Sequence, residues 1–235
     1  AAKIPATVSL ISFFNLYSNF EFYHITCQPD HRSKMEVAHE LLELYKVFFQ
    51  QNQFPQEVID QASNRIIEIY NNPEALFILL NLYSQTPEYN IKLLIALGMK
   101  LILSDEVKWL QYHELEQSEK IKSSLLEILH NEKDLQLFRN VIAAVSPILK
   151  TEYNLWPEYL ELIQIFSTSE NNYIFSILMA ISMIRMISDN QFLPNIWEFF
   201  SNLALQGLAS DNENIIIESA SLVTSMFRFH TTIST

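Results

Sequence analysis

Residues 55–109 read PQEVIDQASNRIIEIYNNPEALFILLNLYSQTPEYNIKLLIALGMKLILSDEVKW, and three helical patterns follow one another there with almost no loop between them. In the first, Val58, Ile59, Ala62, Ile66, Ile69 and Tyr70 recur every three or four residues, which is the apolar stripe of an amphipathic helix. The second opens at Asn72-Pro73-Glu74. Asn72 is suited to accept a backbone N–H as N-cap, Pro73 to occupy the first turn, and Glu74 to complement the positive helix end. Ala75 to Tyr83 is then apolar nearly all round. The third pattern, Ile91 to Leu103, interrupts its apolar run only at Lys92, Gly98 and Lys100, so neighbours on two sides must cover it. A pair of helices cannot do that alone.

Outward from this stretch the pattern recurs. Aligned on Ile91/Ala96, the chain offers Phe138/Ala143, Phe175/Ala180 and Ile215/Ala220, each pair five residues apart. A two-helix period of about 40 residues is the signature of HEAT or armadillo arrays, in which neighbouring units supply the core that one unit cannot. The small residue lets the next helix approach closely. Ala96, Ala143, Ala180 and Ala220, with Ala62 in the first unit, are therefore expected to be buried between successive A helices. The intervening B helices start at Pro73, Pro157 and Pro194, while Glu114–Ser118 opens one without proline.

The fold read from these signals is all-α: a right-handed α-solenoid of about four to five HEAT/armadillo-like helix pairs. The A/B pairs fall at 57–71/73–85, 88–104/115–131, 133–150/156–168 and 170–188/192–208. A helix at 36–51 precedes them, and a last A helix at 212–230 has no partner. Tertiary neighbours are expected to be missing for Ile215, Ile216, Ile217, Leu222 and Met226. Residues 1–34 follow neither spacing and read as a leader or extension to a solenoid spanning 35–235.

Composition removes several classes of function. The two glycines, Gly98 and Gly207, both lie inside helical patterns, which excludes P-loop and Rossmann nucleotide sites. A single cysteine, Cys27, precludes an internal disulfide and fits a reducing compartment. The formal net charge of −12 disfavours the phosphate backbone of nucleic acids and favours basic partners. The apolar run Tyr173–Met186 contains Arg185 and falls short of the roughly 20 residues that a membrane span needs. His24, Cys27 and His31, with His39, lack the paired spacing of a zinc site. Asp211-Asn212-Glu213-Asn214 lacks the glycine and ligand spacing of an EF-hand. His113 and His130 stand alone, and no catalytic, cofactor-binding or metal-binding residue is assigned. Trp109, Trp156 and Trp197 read as core or loop anchors, since aromatic burial dominates core energetics.

The order Ala62…Ile66…Asn72-Pro73-Glu74-Ala75-Leu76…Leu79-Leu80, then Ile91-Lys92…Ala96…Met99-Lys100…Trp109, is similar to the N-terminal motif of the importin-β (karyopherin) family of nuclear transport receptors. Val141-Ile142-Ala143-Ala144-Val145-Ser146 and Leu155-Trp156-Pro157-Glu158-Tyr159-Leu160-Glu161-Leu162 extend the similarity to roughly residues 36–228. Lys92 stands where the family has Arg, Ile95 replaces the first Ala of a pair, and Trp109 lies about two residues late. The resemblance implies a receptor that shuttles between cytoplasm and nucleus through the nuclear envelope. It also implies as partners the small GTPase Ran in its GTP state, basic protein cargo and nucleoporins.

In a solenoid the B helices line the concave wall. Helical spacing assigns to their non-core stripes Glu74, Asn81 and Gln85; Glu116, Lys120, Ser123 and Glu127; Glu158, Glu161 and Gln164; and Asn195, Glu198 and Asn202. The wall is acidic and amide-bearing, and the resemblance places Ran and basic cargo on it. An exportin-type receptor and a non-transport HEAT scaffold are the alternative readings.

Overall fold

The computed structural model describes residues 33–152, 156–186 and 193–233. Ser33 opens the first helix with a reciprocal capping box: its hydroxyl accepts the Glu36 N–H at 3.3 Å, and Glu36 accepts the Ser33 N–H at 2.8 Å. Helix α1 therefore spans Lys34–Phe49, and Ser33 and Lys34 belong to it rather than to the leader. The rest of that leader, with His24, Cys27 and His31, lies outside the described residues.

Ten more helices follow among the described residues: α2 Gln56–Tyr70, α3 Ala75–Gln85, α4 Tyr89–Leu103, α5 Glu106–Glu114, α6 Ser118–Asn131, α7 Leu135–Glu152, α8 Pro157–Ser167, α9 Tyr173–Met186, α10 Leu193–Leu208 and α11 Glu213–Ile233. There is no strand among the described residues. The caps are local. Asn72 is not the N-cap of α3 as expected: it accepts the Glu74 N–H at 2.8 Å in a turn that contains Pro73, and the helix starts only at Ala75 with Glu74 at its cap position. Pro157 occupies the first turn of α8. Asn212, within the stretch that superficially suggested calcium, accepts the Asn214 N–H at 3.0 Å and starts α11.

Helices α4, α7, α9 and α11 stack side by side, each packing mainly on the next. Helices α3, α6 and α8 form a second row against them, and α10 joins through α11. α1 lies against α2 and α3. The core sits between the rows. Every residue from Phe175 to Ile184 of α9 is buried, as are nine residues of α4, which is why neither helix shows a polar stripe. Each fully buried Leu, Ile, Phe or Met contributes about 1.5–3 kcal/mol.

Three expectations change. The reading of 88–104 followed directly by 115–131 skipped α5, a nine-residue helix capped by Asp105, which accepts the Val107 and Lys108 N–H groups. The pairing is also shifted: α3 packs chiefly on α4, α8 on α9 and α10 on α11, while α2–α3 and α9–α10 contacts are sparse. α11 thus has partners in α9 and α10, and Ile215, Leu222 and Met226 are buried where they were expected to lack neighbours; of that set, Ile217 is exposed. Finally, Ala62, Ala96 and Ala180 are buried as expected, but Ala143 is only half-buried and Ala220 is exposed. Their neighbours Ala144 and Ser219 are the fully buried small residues. A one-residue step on a helix turns a side chain by about 100°, and the alanine alignment missed by that step.

Candidate functional site

The residues assigned to the second row divide by position. Asn81 and Gln85 are exposed on α3, the Gln85 amide donating to Asn81 at 3.0 Å. Lys120, Ser123 and Glu127 are exposed on α6; Glu158, Glu161 and Gln164 on α8; Glu198 and Asn202 on α10. Glu74 is half-buried just before α3 and is ion-paired with Lys34. Asn195 lies in α10, its side chain outside the described set. Glu116 departs from its assignment: it occupies the turn between α5 and α6 at φ 54°, not a helix face. The Leu115-Glu116 junction needs a left-handed residue to join two short helices, and that breaks the helical spacing on which Glu116 was placed.

Because α3 packs on α6 and α6 on α8, the exposed stripes of three consecutive helices adjoin. Lys120 interrupts the acidic surface, its ammonium lying 5.4 Å from the Phe77 ring centre. Two features escaped the sequence reading. Ile165 is 56% exposed and Leu205 is 64% exposed. Ile165 shares the α8 face of Glu158 and Glu161 by spacing, and Leu205 shares the α10 face of Glu198 and Asn202. A helical-wheel count of 158, 161, 165 and of 198, 202, 205 would have found both. The α8 face therefore sets an apolar residue beside two carboxylates, and the α10 face sets one beside Glu198 and Asn202, an arrangement that suits a basic protein surface better than a small molecule.

The rows are tied by buried polar knots. Glu132, 7% exposed after α6, accepts the Tyr83 hydroxyl at 2.8 Å, the Lys92 ammonium at 3.2 Å and the Asp134 N–H at 2.9 Å. Burial by itself would raise its pKa, but the Asp134 N–H, the Tyr83 hydroxyl and Lys92 outweigh that and hold the carboxyl below its ordinary range. Lys92 also lies 4.9 Å from the Tyr83 ring centre. A second knot closes on Glu152, buried at the end of α7. The Trp109 indole N–H donates to it, His113 Nε2 meets the same oxygen, and the buried Lys122 lies 3.4 Å from the other. His113 is thus not alone, and Trp109 is buried in the core as expected, from within α5. Trp156 is buried, Trp197 half-buried, and His130 stacks on Phe166 at 5.9 Å.

Among the described residues no group of three His, Cys, Asp or Glu could hold a metal ion, and no helix is long and apolar enough to cross a membrane. No family model, no curated protein and no solved structure matches the chain.

Proposed function

We propose that the chain is the N-terminal HEAT-repeat part of an importin-β-like nuclear import receptor: a right-handed α-solenoid of four to five helix pairs that binds Ran in its GTP state and basic protein cargo on the second row. The observation that carries this reading is the run of adjoining exposed faces on α3, α6 and α8, with Glu127 exposed on α6 and with Glu158 and Glu161 on the same α8 face as an exposed Ile165. Carboxylates around an apolar anchor give a basic protein both steering and a desolvated contact. The motif order through Asn72-Pro73-Glu74 and Ile91-Lys92 supports the family. In such a receptor Ran and cargo are negatively coupled, because both draw on one array.

The test is binding of the whole chain to purified Ran loaded with GTP or GDP, followed by calorimetry at equal salt. A receptor of this type binds the GTP form at least tenfold more tightly. Equal binding of the two forms, or none, rejects the receptor reading and leaves a scaffold.

A further inference from the structure

The solvent face of the first row carries a feature of mixed charge, with four cations against three carboxylates in its lining. Two hollows of about 310 and about 740 Å³ share Ala143, Ser146 and Met186, and so form one trough running from α11 across α9 and α7 to α4 and α5. Small side chains make the trough: Ala143, Ser146, Ser182 and Ser221 leave the space between helices unfilled. This gives Ala143 a role in the trough rather than between helices. Pro147, inside α7 and lining the larger hollow, lacks the N–H that an α-helix would donate to the Ala143 carbonyl. Leu103, Ile142, Leu178, Ile181 and Met186 supply apolar walls.

Four cations rim it, Lys100, Lys150, Arg139 and Arg185, in a chain of net charge −12. Of its three carboxylates, Glu152 is held by Trp109, His113 and Lys122, and Glu218 is ion-paired with Arg139 at 2.5 Å. Glu106 lies 3.6 Å from Lys150, both well exposed. Among the described residues Arg185 meets the hydroxyls of Ser225 at 3.3 Å and Ser221 at 3.4 Å, and no carboxylate.

We infer that this trough is a docking site for an acidic peptide segment of a partner protein, with a carboxylate on Arg185 and an apolar side chain seated on Ala143 and Met186. A guanidinium held by two hydroxyls presents a fork that matches a carboxylate. Nucleic acid is a poor occupant, since a polyphosphate needs a continuous run of Lys and Arg, whereas Arg139 and Lys150 are already paired with carboxylates of the trough. The inference concerns the row opposite the proposed GTPase face, so either stands or falls without the other.

The experiment selects a displayed library of twelve-residue peptides on the immobilised whole chain at low salt. Enriched peptides are expected to carry two or more Asp or Glu around a Leu, Met or Phe. Their synthetic versions should lose at least tenfold in affinity, by fluorescence polarisation, to the Arg185→Glu protein and to the Ser146→Trp protein, and be unaffected by Glu158→Lys with Glu161→Lys. Circular dichroism confirms folding; should Ser146→Trp unfold the chain, the exposed Arg185→Glu decides alone. Enrichment of basic or purely apolar peptides only, no enrichment, or indifference to Arg185→Glu overturns the inference. So does concentration-dependent self-association that Arg185→Glu and Glu158→Lys each abolish, which would seat a second copy of the chain in the trough.

Discussion

At the residue scale, Gly98 shows how one hydrogen in place of a methyl sets a helix crossing. A Cβ there would stand 2.3 Å from the Tyr70 hydroxyl and 2.7 Å from its ring carbon, and that hydroxyl is already held at 2.6 Å by Tyr45 in the core. Helix propensity alone favours alanine by about 1 kcal/mol, but the overlap is with a rigid, bonded ring. Gly98→Ala is therefore expected to destabilise by about 1–3 kcal/mol, read as a lower thermal midpoint. Adding Tyr70→Phe should recover part of the loss; no recovery would mean that the clash lies elsewhere. Glu132 makes a pH-dependent contribution. Its folded pKa is depressed, so the stability it confers is present above the ordinary carboxylate range and is lost as pH falls through the folded value. The midpoint difference between wild type and Glu132→Gln should be constant above about pH 5 and shrink below about pH 4. A difference that instead grows in acid would contradict the hydrogen-bond assignment.

At the element scale, two features separate the helices that pack from those that merely follow one another. The buried small residue of α7 is Ala144, so Ala144→Phe should cost about 1–3 kcal/mol through overpacking while Ala143→Phe, on the trough side, costs little. Equal midpoints for the two variants would return the register to the alanine alignment. Helix α5 is held by the Glu152 knot, by the Lys108 ammonium on the Tyr70 carbonyl at 3.1 Å, and by the Tyr112 hydroxyl on the Pro73 carbonyl at 3.1 Å. Removing one member of a buried charge pair typically costs about 3–5 kcal/mol, because the other charge stays buried. Lys122→Met is thus expected to be severe, and Lys122→Met with Glu152→Leu much milder. A double variant as unstable as the single one would show that packing, not charge, sets the cost.

For the whole molecule, the two proposed contacts fall on different rows, a basic protein on the second and an acidic peptide on the first. Reversal of Glu158 and Glu161 to Lys should slow association with Ran-GTP at low salt, an effect that fades as salt screens it, and leave helicity intact. The same reversal at exposed Glu170, in the turn before α9, or Glu213, at the start of α11, should do little. Equal effects at both places, measured by stopped-flow, would count against the second row as the GTPase face.

What the sequence determined by itself was local. The existence of every helix but α5, the Pro157 start, the Asn72 turn and the apolar encirclement of α4 and α9 depend on residues within a turn or two of one another, so spacing alone reveals them. The exposure of most second-row residues was legible for the same reason; Glu74 instead sits half-buried and ion-paired ahead of α3, Glu116 lies where a left-handed residue ended the spacing, and the Asn195 side chain lies outside the described residues. Tertiary structure decided the rest. Ala143 and Ala144 are chemically identical and differ only in direction, so nothing local says which one faces a neighbour. Glu152 reads as an ordinary charged residue at a helix end until α5 and α6 bring Trp109, His113 and Lys122 to it from 43, 39 and 30 residues away. The trough exists only because Arg139, Arg185 and Ser221, on three different helices, are set side by side by the packing of α7, α9 and α11.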